Sequence, residues 1–418
     1  VEAGPRLGGK IQTASDGLET GAEQFLMRDG ATGGPRAAAR LVAALGLGDQ
    51  LVHPATGASG LWVGGRLRAL PTGTIMGVPG PSADLDGIAT LVERDTDAGP
   101  PVLRPEEDVA VGALVRERLG DEVVDHLVDP LLGGVYAGRA DLLSLRTTMP
   151  GLAQALTTHH TLRDAVAAAT ASSRAHAATG LAPDTAPPAV FGTLRGGLSS
   201  LVEALTRRLL ELGVAVHCGS PLRDLADLPA DAYVLACPAK PAARLLTHRS
   251  AQAADLVGAL DYASVGLVTL RLPMVDLPEI TGFLVPADQG LAIKAATFFS
   301  RKWAHLAGAG ETAVRVSIGR YGDTETLAHT DDALIELVQA DLAKVLGPLP
   351  PATSARVTRW GGGLPQYAPG HADRFATARA LLAGSAVVLA GAAVDGVGIP
   401  ACITSGEKAA ADLGEFIS

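Results

Sequence analysis

The chain has 418 residues, 47% hydrophobic and 19% charged, enough for a sizeable core and about two domains, and this excludes a disordered chain. A net charge of −10, from 34 basic and 44 acidic residues, excludes the basic footprint of a nucleic-acid binder. Cys218, Cys237 and Cys402 stand far apart without C-x-x-C spacing, so they read as reduced thiols of a cytosolic protein, not a metal or disulfide frame. No apolar run reaches the ~18 residues of a membrane span. Aromatics make up only 4%, so the core has to be built from small aliphatics.

The chain opens on Val1-Glu2, followed by Arg6, Gly8-Gly9 and Lys10. A carboxylate closing a short strand can accept hydrogen bonds from a ribose. The two glycines let backbone approach phosphates, and Arg6 and Lys10 bring positive charge. In such a unit a G-x-G-x-x-G turn precedes the acid by ~20 residues. A first strand, glycine turn and helix are therefore expected upstream of Val1. Residues 16–25 read as a turn and a short approach to the cofactor. Residues 36–47 read as a helix, and residues 62–70 as a hairpin turning at Gly64-Gly65.

Leu119, Val123, Leu127 and Leu131 recur every four residues and predict one helical face over residues 105–132, ended by Gly133-Gly134. Residues 172–188, rich in Ala and Pro, predict an exposed loop. A helix over 197–213 and short strands at 214–217 and 232–236 restore α/β alternation. Beyond residue 262, Val268, Leu270 and Leu272, and then Val314, Val316 and Ile318, alternate with polar residues as antiparallel strands do. A capped helix is expected over 331–346. Residues 386–391 read as a buried strand running through Gly391, Gly396 and Gly398 into a helix from about residue 401, with Pro400 in its first turn. Strand, glycine loop and helix N-terminus form an anion site. His159-His160 is adjacent, which is not metal-ligand spacing, and no metal site is expected.

Several motifs carry a resemblance. They are EAGPRLGGKIQT at the start and GAAVDGVGIPACITSGEKAA at the end, with LPTGTIMGVP, LGDEVVDHLVDPLLGGVYAG, FGTLRGGLSSL, Lys302-Trp303 and RWGGGLPQYAPGH in order between them. Together they cover nearly the whole chain. It resembles the FAD-dependent protoporphyrinogen/coproporphyrinogen III oxidase family of haem biosynthesis, within the amine oxidase-like flavoprotein superfamily. The resemblance implies an α/β plus α+β fold: a Rossmann-like FAD-binding domain, an inserted helical domain and an antiparallel-sheet substrate domain. The expected division is FAD-binding over 1–78, helical insertion over 79–190, FAD-binding over 191–260, substrate sheet over 261–358 and FAD-binding over 359–418.

The resemblance implies a non-covalent FAD held by Glu2, Arg6, Gly8, Gly9, Lys10, Gly21, Ala22, Leu222, Trp360, Gly391, Gly396, Val397, Gly398 and Ile399. The flavin supplies the redox chemistry, so no catalytic side chain is assigned. A porphyrinogen substrate, an apolar macrocycle with carboxylate tails, implies a slot at Gly134, Thr281 and Leu284, with Arg28, Arg139 and Lys294 as candidate partners of its propionates. The implied reaction is three two-electron oxidations, with oxygen as acceptor and hydrogen peroxide released. Ala/Arg/Gly-rich usage, as in high-GC Gram-positive bacteria, favours coproporphyrinogen III. Protoporphyrinogen IX, another enzyme of the superfamily and a non-enzymatic tetrapyrrole-binding protein remain alternatives. The implied setting is cytoplasmic, with peripheral membrane contact and hand-off to a ferrochelatase left open.

Overall fold

Residues 1–28, 36–95, 99–178, 189–308 and 310–417 are described in this computed structural model. Its strands, in chain order, are β1 (Phe25–Leu26), β2 (Leu51–Val52), β3 (Gly60–Val63), β4 (Arg66–Ala69), β5 (Thr74–Ile75), β6 (Val78–Pro79) and β7 (Phe191–Leu194). They continue as β8 (Tyr233–Leu235), β9 (Asp261–Pro273), β10 (Gly282–Leu284), β11 (Ile293–Phe298), β12 (Glu311–Ile318), β13 (Ser354–Gln366) and β14 (Val387–Leu389).

Period-two alternation builds the largest sheet, ordered β13-β9-β12-β11-β10-β3-β4. Val268, Leu270, Leu272, Val314, Val316 and Ile318 are fully buried and share one face, packed on Leu334, Val338 and Leu342 of the helix Asp331–Leu346. Thr330 caps that helix by accepting the Ala333 N–H at 3.3 Å. The opposite face carries Leu284 and Ala295, which are directly paired, and turns toward the helix Asp129–Tyr136.

Two expected domain boundaries do not follow the hydrogen bonding. The hairpin β3–β4, placed in the first FAD-binding segment, forms the outer edge of the large sheet, because β3 pairs in parallel with β10. β13 crosses the expected break at 358/359 as one strand paired with β9. Strand partners are set by edges that must be paired, which segment order along the chain does not reveal.

The helical part also departs from expectation. Leu119, Val123 and Leu127 are fully buried, but Leu131 is only half-buried and Leu132 takes the core position. A π-helical turn over Val124–Val128 shifts the register there. Gly133 and Gly134 do not end the helix. It runs to Tyr136 and stops at Ala137, whose φ of 51° is left-handed. Packing overrides the ~1 kcal/mol helix cost of each glycine. Residues 172–178 continue the helix Leu162–Ala178 instead of starting a loop, and residues 179–188 lie outside the described residues. Residues 214–217 form no strand. They run beside the chain start, where the Glu2 N–H donates to the His217 carbonyl at 2.7 Å and the Ser220 N–H to that of Glu2 at 3.0 Å. The strand at 232–236 appears as β8, paired in parallel with β14.

Candidate functional site

The Gly8-Gly9 turn is held from within. The Arg6 guanidinium donates to the carbonyls of Leu7 (3.0 Å), Gly9 (2.6 Å) and Ile11 (3.0 Å) and to Gln12 Oε1 (3.0 Å), so it braces the turn instead of reaching out. Gly8, at φ 97°, packs so closely that a Cβ would lie 2.9 Å from Val202, whereas Gly9 faces open space. Glu2 Oε1 accepts the Gly4 N–H at 2.6 Å, and its second oxygen has no partner among the described residues.

Gly21 answers to the protein before any ligand. The Ala22 N–H donates to the Lys10 carbonyl at 3.0 Å, and a Cβ on Gly21 would lie 2.0 Å from that oxygen. The backbone crossing by itself requires the glycine. Trp360 packs 3.3 Å from the same point, and its Nε1 donates to the Thr20 carbonyl at 2.7 Å. Burial lowers the pKa of Lys10, which sits near Cys402.

At the far end of the chain, the Gly391 N–H donates to Ser405 Oγ at 2.8 Å, and that hydroxyl donates to Asp395. Gly396 and Gly398 hold φ values of 115° and 109°, where side chains are strained. The N–H groups of Val397, Gly398 and Ile399 find no acceptor among the described residues, and they open the helix Ile399–Ile417. Ile399 itself is buried beneath this turn. Neither backbone group of the half-buried Leu222 is hydrogen-bonded among the described residues, which leaves both free to read a purine edge. Unpaired amides at a helix N-terminus, a half-free carboxylate and open glycine backbone fit a flavin dinucleotide. Burial raises the Cys402 thiol pKa, the opposite of what a thiol that captures a flavin needs.

Sequence reading missed a buried charge network beside this site. Glu23, from the Gly21-Ala22-Glu23 stretch, pairs with Lys302 at 2.8 Å and with Arg315, and accepts Trp303 Nε1 at 2.9 Å. The Lys302-Trp303 motif is therefore the partner of the Gly21-Ala22-Glu23 stretch. Burial alone would raise the Glu23 pKa, but Lys302 and Arg315 hold it down at about 2. Arg315 also donates to the carbonyls of Glu19 (3.1 Å) and Gly21 (3.0 Å), locking the segment onto the sheet. Glu19 accepts the Leu198 N–H at 2.6 Å, yet burial pushes its carboxyl up to about 7, and its Oε2 has no partner. The signal was two acids four apart in an apolar stretch, but their cations lie almost 300 residues away.

The third group of residues forms a wall. Gly134 is exposed on the last turn of the helix Asp129–Tyr136, and a Cβ there would meet only Leu284, at an ordinary 3.5 Å. No protein atom demands glycine at 134, so the space it leaves is available to a ligand. Gln366 Nε2 donates to the Tyr136 carbonyl at 2.8 Å, which joins the GGVYAG and PQY segments directly. The Thr281 hydroxyl is engaged with Ser59 and the Ala58 carbonyl, both at 3.0 Å, and so anchors β10 to the β3 approach. Lys294 lies on this wall, 6% exposed. Arg139 is exposed. Arg28 follows β1, and its Nε is buried with no partner among the described residues.

The model of the flavin containing amine oxidoreductase family matches residues 1–414. The chain is 36% identical to a coproporphyrinogen III oxidase of Mycobacterium tuberculosis, over 100% of this chain and 91% of the relative. It is 34% identical to a coproporphyrinogen III oxidase of Bacillus subtilis, over 99% of this chain and 90% of the relative. A solved structure named as a protoporphyrinogen oxidase, from Exiguobacterium sp. 255-15, superposes with a TM-score of 0.79 at 28% identity, covering 100% of this chain and 92% of that one. The chain belongs to the flavin containing amine oxidoreductase family and is an FAD-dependent oxidoreductase.

Proposed function

We propose that the protein oxidises coproporphyrinogen III to coproporphyrin III, a six-electron reaction taken in three two-electron steps with O₂ as acceptor and H₂O₂ released. The carrying observation is the wall at Gly134 and Leu284, where an exposed glycine that no protein contact requires faces an aliphatic side chain with room for a Cβ between them. The two full-length relatives named coproporphyrinogen III oxidase support the substrate.

Bound FAD supplies hydride acceptance and the reduction of oxygen. Its holders in this reading are Glu2 at the ribose, the amides of Val397, Gly398 and Ile399 at phosphate or flavin oxygens, Leu222 at the adenine, and Gly21, Ala22 and Trp360 beside the ring. Arg6 and Gly8 act indirectly, by shaping the turn that presents Gly9 and Lys10. The chain's contribution to the reaction is orientation and exclusion of water: Leu284, Gly134 and Thr281 set the slot, and the Glu23 network fixes the segment that runs under it.

The similarity to the structure named as a protoporphyrinogen oxidase keeps protoporphyrinogen IX as the second reading. The product suits hand-off to a ferrochelatase. No helix among the described residues is long and apolar enough to cross a membrane, and membrane contact in this reading is peripheral. Porphyrin fluorescence growth from the FAD-loaded protein in air, with the two porphyrinogens compared side by side, tests the reading. Faster oxidation of coproporphyrinogen III is expected. Protein that holds yellow flavin yet oxidises neither would sink it.

A further inference from the structure

Lys294 occupies a β-bulge. The β11–β12 register steps from Ile293 opposite Ile318 to Ala295 opposite Ser317, which leaves Lys294 as the extra residue. Ile293 and Ala296 point into the core shared with the helix Asp331–Leu346. Lys294 therefore projects with Ala295 onto the other face, where Ala295 is paired with Leu284 and Leu284 meets Gly134. The lysine is 6% exposed, and its ammonium makes no hydrogen bond or ion pair among the described residues.

The charge nearest to it has the same sign. Arg320 donates to the carbonyls of Val285 at 3.0 Å and Ile293 at 3.5 Å, clasping both sides of the bulge. Asp129, at the start of the helix Asp129–Tyr136 that carries Gly134, faces Arg320, but its carboxylate also accepts the Ala140 N–H at 2.7 Å. Asp323 faces Arg320 from its own loop, and the nearby His126–Asp288 pair, at 2.9 Å, is closed on itself. Asp129 and Asp323 thus both face the half-buried Arg320, and neither acts on Lys294, whose one charged neighbour among the described residues is that arginine. Such an arrangement is costly unless an anion completes it.

Resting on the reading above, we propose that Lys294, positioned by Arg320, is the specificity-determining carboxylate subsite of the cavity. It takes a propionate that coproporphyrinogen III carries where protoporphyrinogen IX carries a vinyl group. A vinyl group cannot complete the cation, so it leaves the cost in place. Burial holds the Lys294 pKa down at about 7, so binding of a carboxylate there draws a proton onto the amine.

The test compares wild type with Lys294→Met, which keeps the length and removes the charge. The ratio of kcat/KM for coproporphyrinogen III over protoporphyrinogen IX should fall roughly 10- to 100-fold, as for loss of one charged hydrogen bond. Lys294→Arg should recover part of it. Equal losses with both substrates would mark a merely structural lysine and overturn the proposal, as would an unchanged ratio. A second measurement needs no variant. Calorimetric binding of coproporphyrin III to the wild-type holoenzyme at pH ~7.5, in two buffers of different ionisation enthalpy, should show proton uptake that protoporphyrin IX does not. Equal uptake with both porphyrins would overturn it. If the wild type oxidises neither porphyrinogen, the functional reading fails by itself, while the binding measurement still decides the subsite.

Discussion

Two buried charge sites lie on the same sheet and are built to opposite rules. Against Arg315 of β12, Glu23 is enclosed and saturated by Lys302, Arg315 and Trp303. Near the last residue of β12, Lys294 is almost as enclosed, and its one charged neighbour among the described residues is Arg320. A saturated buried ion is a joint: it ties the Gly21 segment to the sheet and asks nothing of a ligand. An unsaturated one is a receptor, because the free energy withheld by the fold is available to whatever completes it.

The largest effect should come from breaking the joint. Glu23→Ala strands two buried cations and should cost about 3–5 kcal/mol of stability, read by urea denaturation. A loss under about 1 kcal/mol would show that the network is looser than its distances suggest. The same operation at the receptor should act in reverse. Lys294→Met removes a charge that the ligand-free fold does not compensate, so stability should rise by about 1–3 kcal/mol. Destabilisation on that scale would mean that Lys294 has a protein partner after all.

At the cofactor, Glu2→Ala removes charged hydrogen bonds to the ribose and should weaken FAD by about 1–3 kcal/mol, measured by flavin fluorescence titration. Unchanged affinity would overturn the ribose assignment.

Stability against pH separates the two sites further. The Glu23 pKa falls from 4.5 to about 2 on folding, so its contribution is present above 4.5 and is lost as pH drops toward 2. The Lys294 pKa falls from 10.5 to about 7, so its penalty is full below 7 and fades as pH rises toward 10.5. The Glu19 pKa rises from 4.5 to about 7, so its contribution is full below 4.5 and is lost as pH climbs to 7. Lys294→Met should therefore flatten Tm between pH 7 and 10.5, and Glu19→Gln between 4.5 and 7. Curves that overlay the wild type would reject these assignments. The smallest effect serves as a control: Asp412→Asn breaks the exposed Lys408–Asp412 pair and should cost only about 0.3–0.5 kcal/mol.

Local pattern was enough for much of this molecule. Alternation over 268–272 and 314–318 gives β9 and β12, Gly64-Gly65 gives the β3–β4 hairpin, and Thr330 with Gly347 brackets one helix, because each depends on neighbours a few residues away. The glycine turn before the helix Ile399–Ile417 was legible for the same reason. Motif resemblance added the cofactor and the substrate class, which no periodicity carries.

Tertiary structure alone decided the rest. It moved the hairpin into the large sheet, carried the helix past Gly133-Gly134, and assigned Gly21 to a crossing with Lys10 and Arg6 to bracing its own turn. It also paired Glu23 with Lys302 and left Lys294 without a partner among the described residues. Backbone propensity and period are properties of short windows, and a sequence states them directly. Whether a buried charge is satisfied depends on groups hundreds of residues away meeting within about 3 Å, and only the folded chain brings them there.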